Sequence, residues 1–122
     1  MQYMLIFQQP LNEFDKRANP AEAPAYIGAW GAYIGAMYQA GIALSGEGLL
    51  PPASATSVSI RGGKRVVHDG PFADTKEHLA GYMIIDVPSL DDALEWAARA
   101  PCTAVGHTGV HPVMPRATAP AA

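Results

Sequence analysis

The sequence has little cysteine, little charge and no long apolar run. Its one cysteine, Cys102, allows no disulfide within the chain, which fits a reducing compartment. The net charge is −3 and no basic cluster is larger than Lys64-Arg65, whereas a nucleic-acid surface needs a stripe of Lys and Arg. No segment approaches the ~20 apolar residues that span a bilayer, and the N-terminus lacks the basic region of a signal peptide. We therefore expect a cytoplasmic protein that contacts neither nucleic acid nor membrane directly.

The low charge has a consequence for assembly. Charged residues make up 16% of the chain and apolar residues 49%. A typical soluble domain has about 25% charged residues, so we expect part of the apolar surface to meet a partner subunit. The 122 residues fit one domain. We place this domain at 1–114 and expect a mobile Pro/Ala tail at 115–122.

Hydrophobic periodicity predicts five strands and two helices. The strands are expected at 3–7, 56–61, 64–68, 81–87 and 108–113, and the helices at 25–40 and from Leu90 to Pro101. Segments 11–23 and 46–52 are polar or rich in Gly and Pro, so we expect loops there. Gly62-Gly63 predicts a tight hairpin turn, Gly41 a helix end and Ser89 a helix N-cap.

Three glycines lie inside the first predicted helix, at Gly28, Gly31 and Gly35. Each costs about 1 kcal/mol relative to alanine. Two explanations are open. Either another backbone packs closely against this face, or the helix is weak by itself and is held by tertiary contacts.

The order of the elements, β-α-β-β-β-α-β, is typical of an α+β, ferredoxin-like fold with an antiparallel sheet and both helices on one face. In the strand at 81–87 both faces are apolar, so both are expected to be covered. The face without helices would expose one set of these residues beside either Met4 and Ile6 or Tyr3 and Phe7. An exposed apolar patch marks an interface. We therefore predict a homodimer whose two sheets pack face to face about a two-fold axis.

One segment, Asp69-Gly70-Pro71-Phe72-Ala73-Asp74-Thr75-Lys76-Glu77, resembles the D-G-P-F-[AV]-[ED]-T-K-E signature of the DGPF group of YCII-related proteins. The flanking segments agree with that group at 46–49, 79–82, 91–97 and 110–113, and the likeness runs from Tyr3 to Val113. The resemblance implies a ferredoxin-like fold that dimerises as an α/β barrel. It also implies a bacterial source and a link to extracytoplasmic-function sigma factors, and it brings no settled activity.

The related YCII proteins have a proposed catalytic dyad, formed by a His on the first helix and an Asp just after the second. This sequence departs from that pattern at both positions. Its first helix contains no His, and Ala100-Pro101-Cys102 stands where the Asp is expected. The dyad therefore cannot be carried over.

Several charged side chains are candidates for chemistry. Asp69 stands where a strand meets a Gly-Pro turn. It is either a general base or substrate anchor, if burial raises its pKa, or an acceptor for the N–H groups of its own turn. Lys76 could bind an anionic substrate. With Asp74 and Glu77 it could instead form surface ion pairs, which stabilise little.

Other candidates come from the glycine loop, the first helix and the last strand. Glu47 lies between two glycines, where it could share a pocket with Asp69 in acid and base roles or belong to a solvated loop. Tyr26 or Tyr33 could offer a hydroxyl group to a pocket between helix and sheet, and His111 could line it. The predicted ligand-binding residues are Asp69, Lys76, Glu77, Glu47, Tyr26 and Tyr33. The catalytic candidates are Asp69, Glu47 and His111.

The four histidines do not predict a metal site. His107 and His111 have the spacing of helical ligands, but the glycines and proline around them predict a strand. On a strand they would stand roughly 13 Å apart, too far to share one ion. His68 and His78 flank a loop that supplies no further ligand. We expect no metal and no cofactor.

Two functions remain open. The first is a small-molecule site, catalytic or only binding, in a cleft between the sheet and the first helix. The second is a non-enzymatic interaction module associated with an extracytoplasmic-function sigma factor, which the missing dyad favours. A buried pocket would favour the first function, and an exposed apolar patch outside the dimer interface would favour the second.

Overall fold

The computed structural model describes residues 1–72 and 74–116. Within them the strands are β1 (Gln2–Gln9), β2 (Ala43–Gly48), β3 (Thr56–Arg61), β4 (Lys64–Asp69), β5 (His78–Asp86) and β6 (His107–Pro112). The helices are α1 (Leu11–Asp15), α2 (Ala23–Gln39) and α3 (Leu90–Ala98). Short 3-10 turns lie at Lys16–Ala18 and Pro52–Ser54. The predicted mobile tail at 115–122 falls largely outside the described residues.

The main sheet has four antiparallel strands in the order β2-β5-β1-β6. The chain passes from β1 through α2 to β2, and β5 lies between those two strands. It then passes from β5 through α3 to β6, with β1 between them. This interleaving of two β-α-β units gives the α+β, ferredoxin-like arrangement, so the predicted fold class is confirmed.

The strands of the main sheet differ from the prediction in two places. Residues 46–52 were expected to form a loop, but Ala43–Gly48 is the edge strand β2. The predicted hairpin, β3 and β4, forms a separate two-stranded sheet instead. The sequence Ala-Leu-Ser-Gly-Glu-Gly has little strand propensity of its own. It pairs because glycines let its backbone approach β5 closely.

Strand register decides which residues face the helices. Tyr3, Leu5 and Phe7 pair across to Met83, Ile85 and their neighbours, and all of these are buried beneath α2 and α3. The alternate residues form the other face, which we call the open face. It carries Met4, Ile6, Tyr82 and Ile84 at its centre. The sequence left open whether Met4 and Ile6 or Tyr3 and Phe7 lie there, and the structure selects the first pair.

Helix α2 is held to the sheet by aromatic contacts. The ring of Phe7 lies 5.0 Å from that of Trp30 and 6.0 Å from that of Tyr33, both edge to face. In residues 1–72 and 74–116, no atom lies within 4 Å of a Cβ built at Gly28, Gly31 or Gly35, apart from the adjacent residues and the helix's own nearby backbone. Close backbone packing within the chain therefore does not explain these glycines, and the tertiary contacts of the aromatic side do hold the helix.

The predicted turns and caps are confirmed. Gly62 and Gly63 have φ of 57° and 76° in the β3–β4 turn, and Gly41 has φ of 74° just after α2. These left-handed conformations suit glycine because it has no Cβ. The Ser89 hydroxyl oxygen accepts a hydrogen bond from the Asp92 N–H at 3.2 Å, which caps α3. Among the described helices, none is long and apolar enough to cross a membrane.

We expect Gly81→Ala to lower the free energy of unfolding by about 1–3 kcal/mol, the usual cost of overpacking. A Cβ at Gly81 would lie 2.5 Å from the carbonyl oxygen of Glu47, so β2 and β5 would have to separate. Gly48→Ala is the matched control, because Gly48 is its cross-strand partner and has open space at the Cβ position. Urea unfolding measures both. Equal effects of the two substitutions would contradict the close approach of these strands.

A second stability prediction concerns the buried hydroxyl group of Tyr33, which donates a hydrogen bond to the carbonyl oxygen of Trp96 at 2.7 Å. Tyr33→Phe should lower the free energy of unfolding by about 1 kcal/mol, since one buried hydrogen bond is lost. Tyr38→Phe should have no effect, because the Tyr38 side chain is 53% exposed. Burial raises the pKa of Tyr33. Its contribution to stability is therefore present below the unfolded-state pKa of ~10 and is lost as the pH rises above it.

Urea unfolding from pH 7 to 11 measures this alkaline loss. The unfolding free energy of the wild type should fall above pH ~10, and Tyr33→Phe should flatten part of that fall. Burial also raises the pKa of Cys102, whose share of the loss begins at lower pH, near ~8.5. An unchanged alkaline slope in Tyr33→Phe would contradict the burial of this hydroxyl group.

Candidate functional site

A cleft of about 530 Å³ lies between α2 and the edge of the sheet formed by β2 and β5. Its helix wall consists of Tyr26, Ile27, Trp30, Gly31, Ile34 and Tyr38, and its sheet wall of Phe7, Gly46, Glu47, Gly48, Ala80, Gly81, Tyr82 and Met83. Arg17 completes the lining. The volume and the mainly apolar, aromatic lining are typical of a small-molecule site.

The cleft exists because its sheet wall is poor in side chains. Gly46 and Gly81 have no room for a Cβ, since one at Gly46 would meet Met83 and one at Gly81 the backbone of Glu47. At Gly48, and at Gly31 on the helix wall, a Cβ would find no atom within 4 Å. Gly46 and Gly81 let β2 and β5 approach each other closely. Gly31 and Gly48 leave the space of the cleft unfilled.

Arg17 brings a positive charge to this apolar surface. It lies in the 3-10 turn before α2, and its Nη1 donates a hydrogen bond to the carbonyl oxygen of Leu49 at 2.6 Å. Its guanidinium carbon lies 5.3 Å from the centre of the Phe14 ring and 5.7 Å from that of Tyr26. Cation–π contacts at these distances hold a guanidinium group in place.

Tyr26 is one of the predicted site residues that line the cleft. Its Oη accepts a hydrogen bond from Nε2 of Gln9 at 2.7 Å, and Gln9 is buried. Because Oη is the acceptor in that bond, the hydroxyl proton is left to donate elsewhere. Tyr33, the other predicted tyrosine, does not line the cleft, because its hydroxyl group points to Trp96.

Glu47 borders the cleft, but its carboxylate does not point into it. The register pairs Glu47 with Tyr82 and Tyr82 with Ile6, so the side chain of Glu47 lies on the open face. The side chain is exposed. Glu47 therefore contributes to the cleft wall through the backbone of β2.

The remaining predicted site residues lie outside the cleft lining. Asp69 is exposed at the end of β4, where it accepts a hydrogen bond from the Thr56 hydroxyl at 3.4 Å. Lys76 is exposed in the loop before β5, and His111 pairs with Met4 on the open face. Asp69 and Glu47 therefore do not share this cleft. Any chemistry of Asp69, Lys76 or His111 elsewhere stays a prediction.

Glu77 belongs to a second group, at one end of the open face. Its carboxylate is hydrogen-bonded to Nδ1 of His107. Part of the signature segment, Gly70 to Phe72 with Thr75 and Glu77, lines a further cavity of about 590 Å³ together with the base of the hairpin. Across residues 1–72 and 74–116 no three His, Cys, Asp or Glu side chains come close enough to hold a metal ion.

No local pattern in the sequence selects Arg17 or Gln9. Arg17 lies in a polar stretch without periodicity, and Gln9 follows the strand predicted at 3–7. Their positions depend on long-range contacts, namely Arg17 with Leu49 and Gln9 with Tyr26. The helix predicted at 25–40 was expected to border a cleft with the sheet, and its residues Trp30 and Ile34 line the cleft described here.

A curated protein is similar to this chain in sequence, and a solved structure is similar to it in fold. A curated relative, an uncharacterised protein of Rhizobium meliloti (strain 1021), is 44% identical over 69 residues, which are 57% of this chain and 55% of the relative. The match therefore spans about half the length of that relative. The fold is similar to that of 5-chloro-2-hydroxyhydroquinone dehydrochlorinase from Burkholderia phenoliruptrix AC1100, solved in complex with 2,5-dihydroxybenzoquinone. The TM-score is 0.55 at 15% identity, over 93% of this chain and 94% of that one.

A protein-family model covers nearly the whole chain. The model of the YCII-related domain matches residues 1–117. This range includes every described strand and helix and the signature segment at 69–77. The resemblance read from the sequence is therefore confirmed, and the chain belongs to the YCII-related domain family.

Proposed function

We propose that this protein binds a small, planar, largely apolar molecule in the cleft between α2 and the sheet. The observation that carries the proposal is the lining, in which the rings of Phe7, Tyr26, Trp30 and Tyr38 surround a cavity of about 530 Å³. Aromatic walls favour flat ring systems, which they contact over both faces and edges. Binding sites combine such walls with a few placed polar groups, and here Arg17 supplies one.

The structural relative adds support at the level of fold. That protein is named as a dehydrochlorinase and was solved with 2,5-dihydroxybenzoquinone, a planar ring of the size this cleft admits. The likeness does not carry its chemistry to this chain, because a fold hosts many functions. In this chain α2 has no histidine, and no described side chain in the cleft lining pairs a nucleophile with a base. We therefore propose binding and leave catalysis out of the proposal.

Filling the cleft tests the proposal. In Gly31→Leu the new side chain would start from open space in the helix wall and occupy the cavity. We expect binding of 2,5-dihydroxybenzoquinone, measured by isothermal titration calorimetry, to weaken at least tenfold, because the space for the ring is lost. Gly28→Leu is the matched control. It makes the same change on the same helix at a position that is equally open but outside the cleft lining.

The two variants give a clear distinction. Both replace a helical glycine by leucine, so both should fold at least as well as the wild type. If Gly28→Leu and Gly31→Leu weaken binding equally, or if neither does, the ligand does not occupy this cleft. Binding that is lost only in Gly31→Leu supports the proposal.

We further propose that the protein forms a homodimer through the open face. Met4, Ile6, Tyr82 and Ile84 lie there side by side and are partly exposed in the described structure. A second copy turned about a two-fold axis would bring the same patch against it. The cleft lies on the other side of the sheet, so this pairing would leave the ligand site accessible.

Sedimentation velocity at micromolar concentration tests the dimer. The wild type should sediment as a dimer, and Ile84→Asp should sediment as a monomer, because a charge would be buried without a partner at the centre of the interface. Leu94→Asp is the control, since Leu94 is 47% exposed on α3, away from the open face. A monomeric wild type, or a dimer that survives Ile84→Asp, would contradict this assembly.

The second predicted function, an interaction module linked to a sigma factor, is favoured by one observation. The hairpin of β3 and β4 exposes Val58, Ile60 and Val67 on one of its faces, with Val58 64% and Ile60 62% exposed. Such a patch suits a protein partner. This alternative comes second, because the cleft offers a ligand a concave aromatic surface, whereas the hairpin patch is exposed.

A further inference from the structure

We infer that the ligand of the cleft is an aromatic acid whose anionic group is bound by Arg17. This inference rests on the proposed function, and it names the chemical class of the ligand. It starts from the composition of the cleft wall. Among the described residues that line the cleft, Arg17 is the one that directs a charged side chain toward it, since the side chain of Glu47 lies on the open face.

The guanidinium group of Arg17 is held in position before any ligand arrives. It reaches from the turn before α2 to the segment after β2, where one N–H is bonded to the Leu49 carbonyl oxygen at 2.6 Å. The rings of Phe14 and Tyr26 lie against it. A cation fixed in this way loses little conformational freedom when it binds an anion.

The charge of Arg17 has no carboxylate partner within the described residues. The ion pairs found there join Met1 to Asp86, Lys16 to Glu13 and His107 to Glu77. Arginine carries five N–H donors, and only one of those of Arg17 is used by a protein acceptor in the described structure. The remaining donors match the two oxygens of a carboxylate.

The ring of Tyr26 lies beside the guanidinium group, with its centre 5.7 Å from the guanidinium carbon. Further aromatic side chains line the rest of the cleft. A cation at one end and aromatic rings along the rest describe a ligand with an anionic end and a flat apolar body. The volume of about 530 Å³ admits an aromatic ring with substituents.

The experiment compares benzoate with benzamide, which have the same ring and differ in charge. Isothermal titration calorimetry at pH 7 should show benzoate binding at least ~tenfold more tightly to the wild type, since a hydrogen bond to a charged group is worth that factor or more. Arg17→Met keeps the apolar stem against Phe14 and Tyr26 and should abolish the preference for benzoate. Arg17→Lys keeps the charge but loses the paired N–H donors of the guanidinium group, so it should retain part of the preference for benzoate.

Lys16→Met is the matched control. It removes the same charge from the neighbouring residue, whose ammonium group pairs with Glu13 outside the cleft, so the preference should remain. The inference is overturned if Arg17→Met and Lys16→Met change the preference equally, or if the wild type does not distinguish the two probes. In that case a loss of both probes in Gly31→Leu would still support the proposed function. Failure of both probes to bind the wild type at millimolar concentration would overturn both.

Discussion

The contact of three aromatic rings, Phe7, Trp30 and Tyr33, determines how α2 lies on the sheet. Each pair of rings meets edge to face at 5.0 to 6.0 Å. Edge-to-face contacts of this kind stabilise beyond the area they bury. They matter here because α2 carries no charged residue and three glycines, so its position depends on packing rather than on local preference. Tyr33 extends the contact to α3 through its bond to Trp96.

The cleft follows from what lies on either side of this aromatic anchor. Toward α3 the space is filled by Ala93, Ala97 and Cys102, which are buried. Toward β2 the sheet presents glycines, which leave space between helix and sheet. The helix cannot move closer to fill this space, because the rings of Phe7, Trp30 and Tyr33 set its distance from the sheet. The result is a cavity whose walls are aromatic on one side and backbone on the other. The exposed rings and the guanidinium group of Arg17 then determine its chemistry.

Much of the fold could be predicted from the sequence, because it depends on local patterns. The apolar run of β5, the helical periodicity of α2 and the capping residue Ser89 each reflect a short-range preference. The edge strand β2 was not predicted, because Gly46 and Gly48 are loop signals in the sequence and the pairing depends on Gly81, which is far away in the chain. Register is a property of the pair, not of either strand.

The site was harder to predict for the same reason. Asp69 and Lys76 were predicted as site residues because both lie in the signature segment at 69–77. The fold instead places them at the hairpin and its following loop, outside the cleft. Tyr26 was predicted, with Tyr33 as the alternative, because a tyrosine on the first helix could offer its hydroxyl group to a pocket between helix and sheet. Arg17 acts at the cleft only through its contact with Leu49, and no short-range pattern encodes that contact.

Ligand binding in the cleft is tested most directly by two-dimensional ¹H–¹⁵N NMR, which follows the backbone amide and indole N–H signals while benzoate is added. Occupation of the cleft should shift the indole N–H of Trp30 and the amide signals of Gly31 and Gly48, which come from opposite walls. Signals of the hairpin at Val58 and Ile60 should stay in place. Shifts confined to the hairpin or to the open face, with the Trp30 indole unchanged, would contradict the cleft as the functional site.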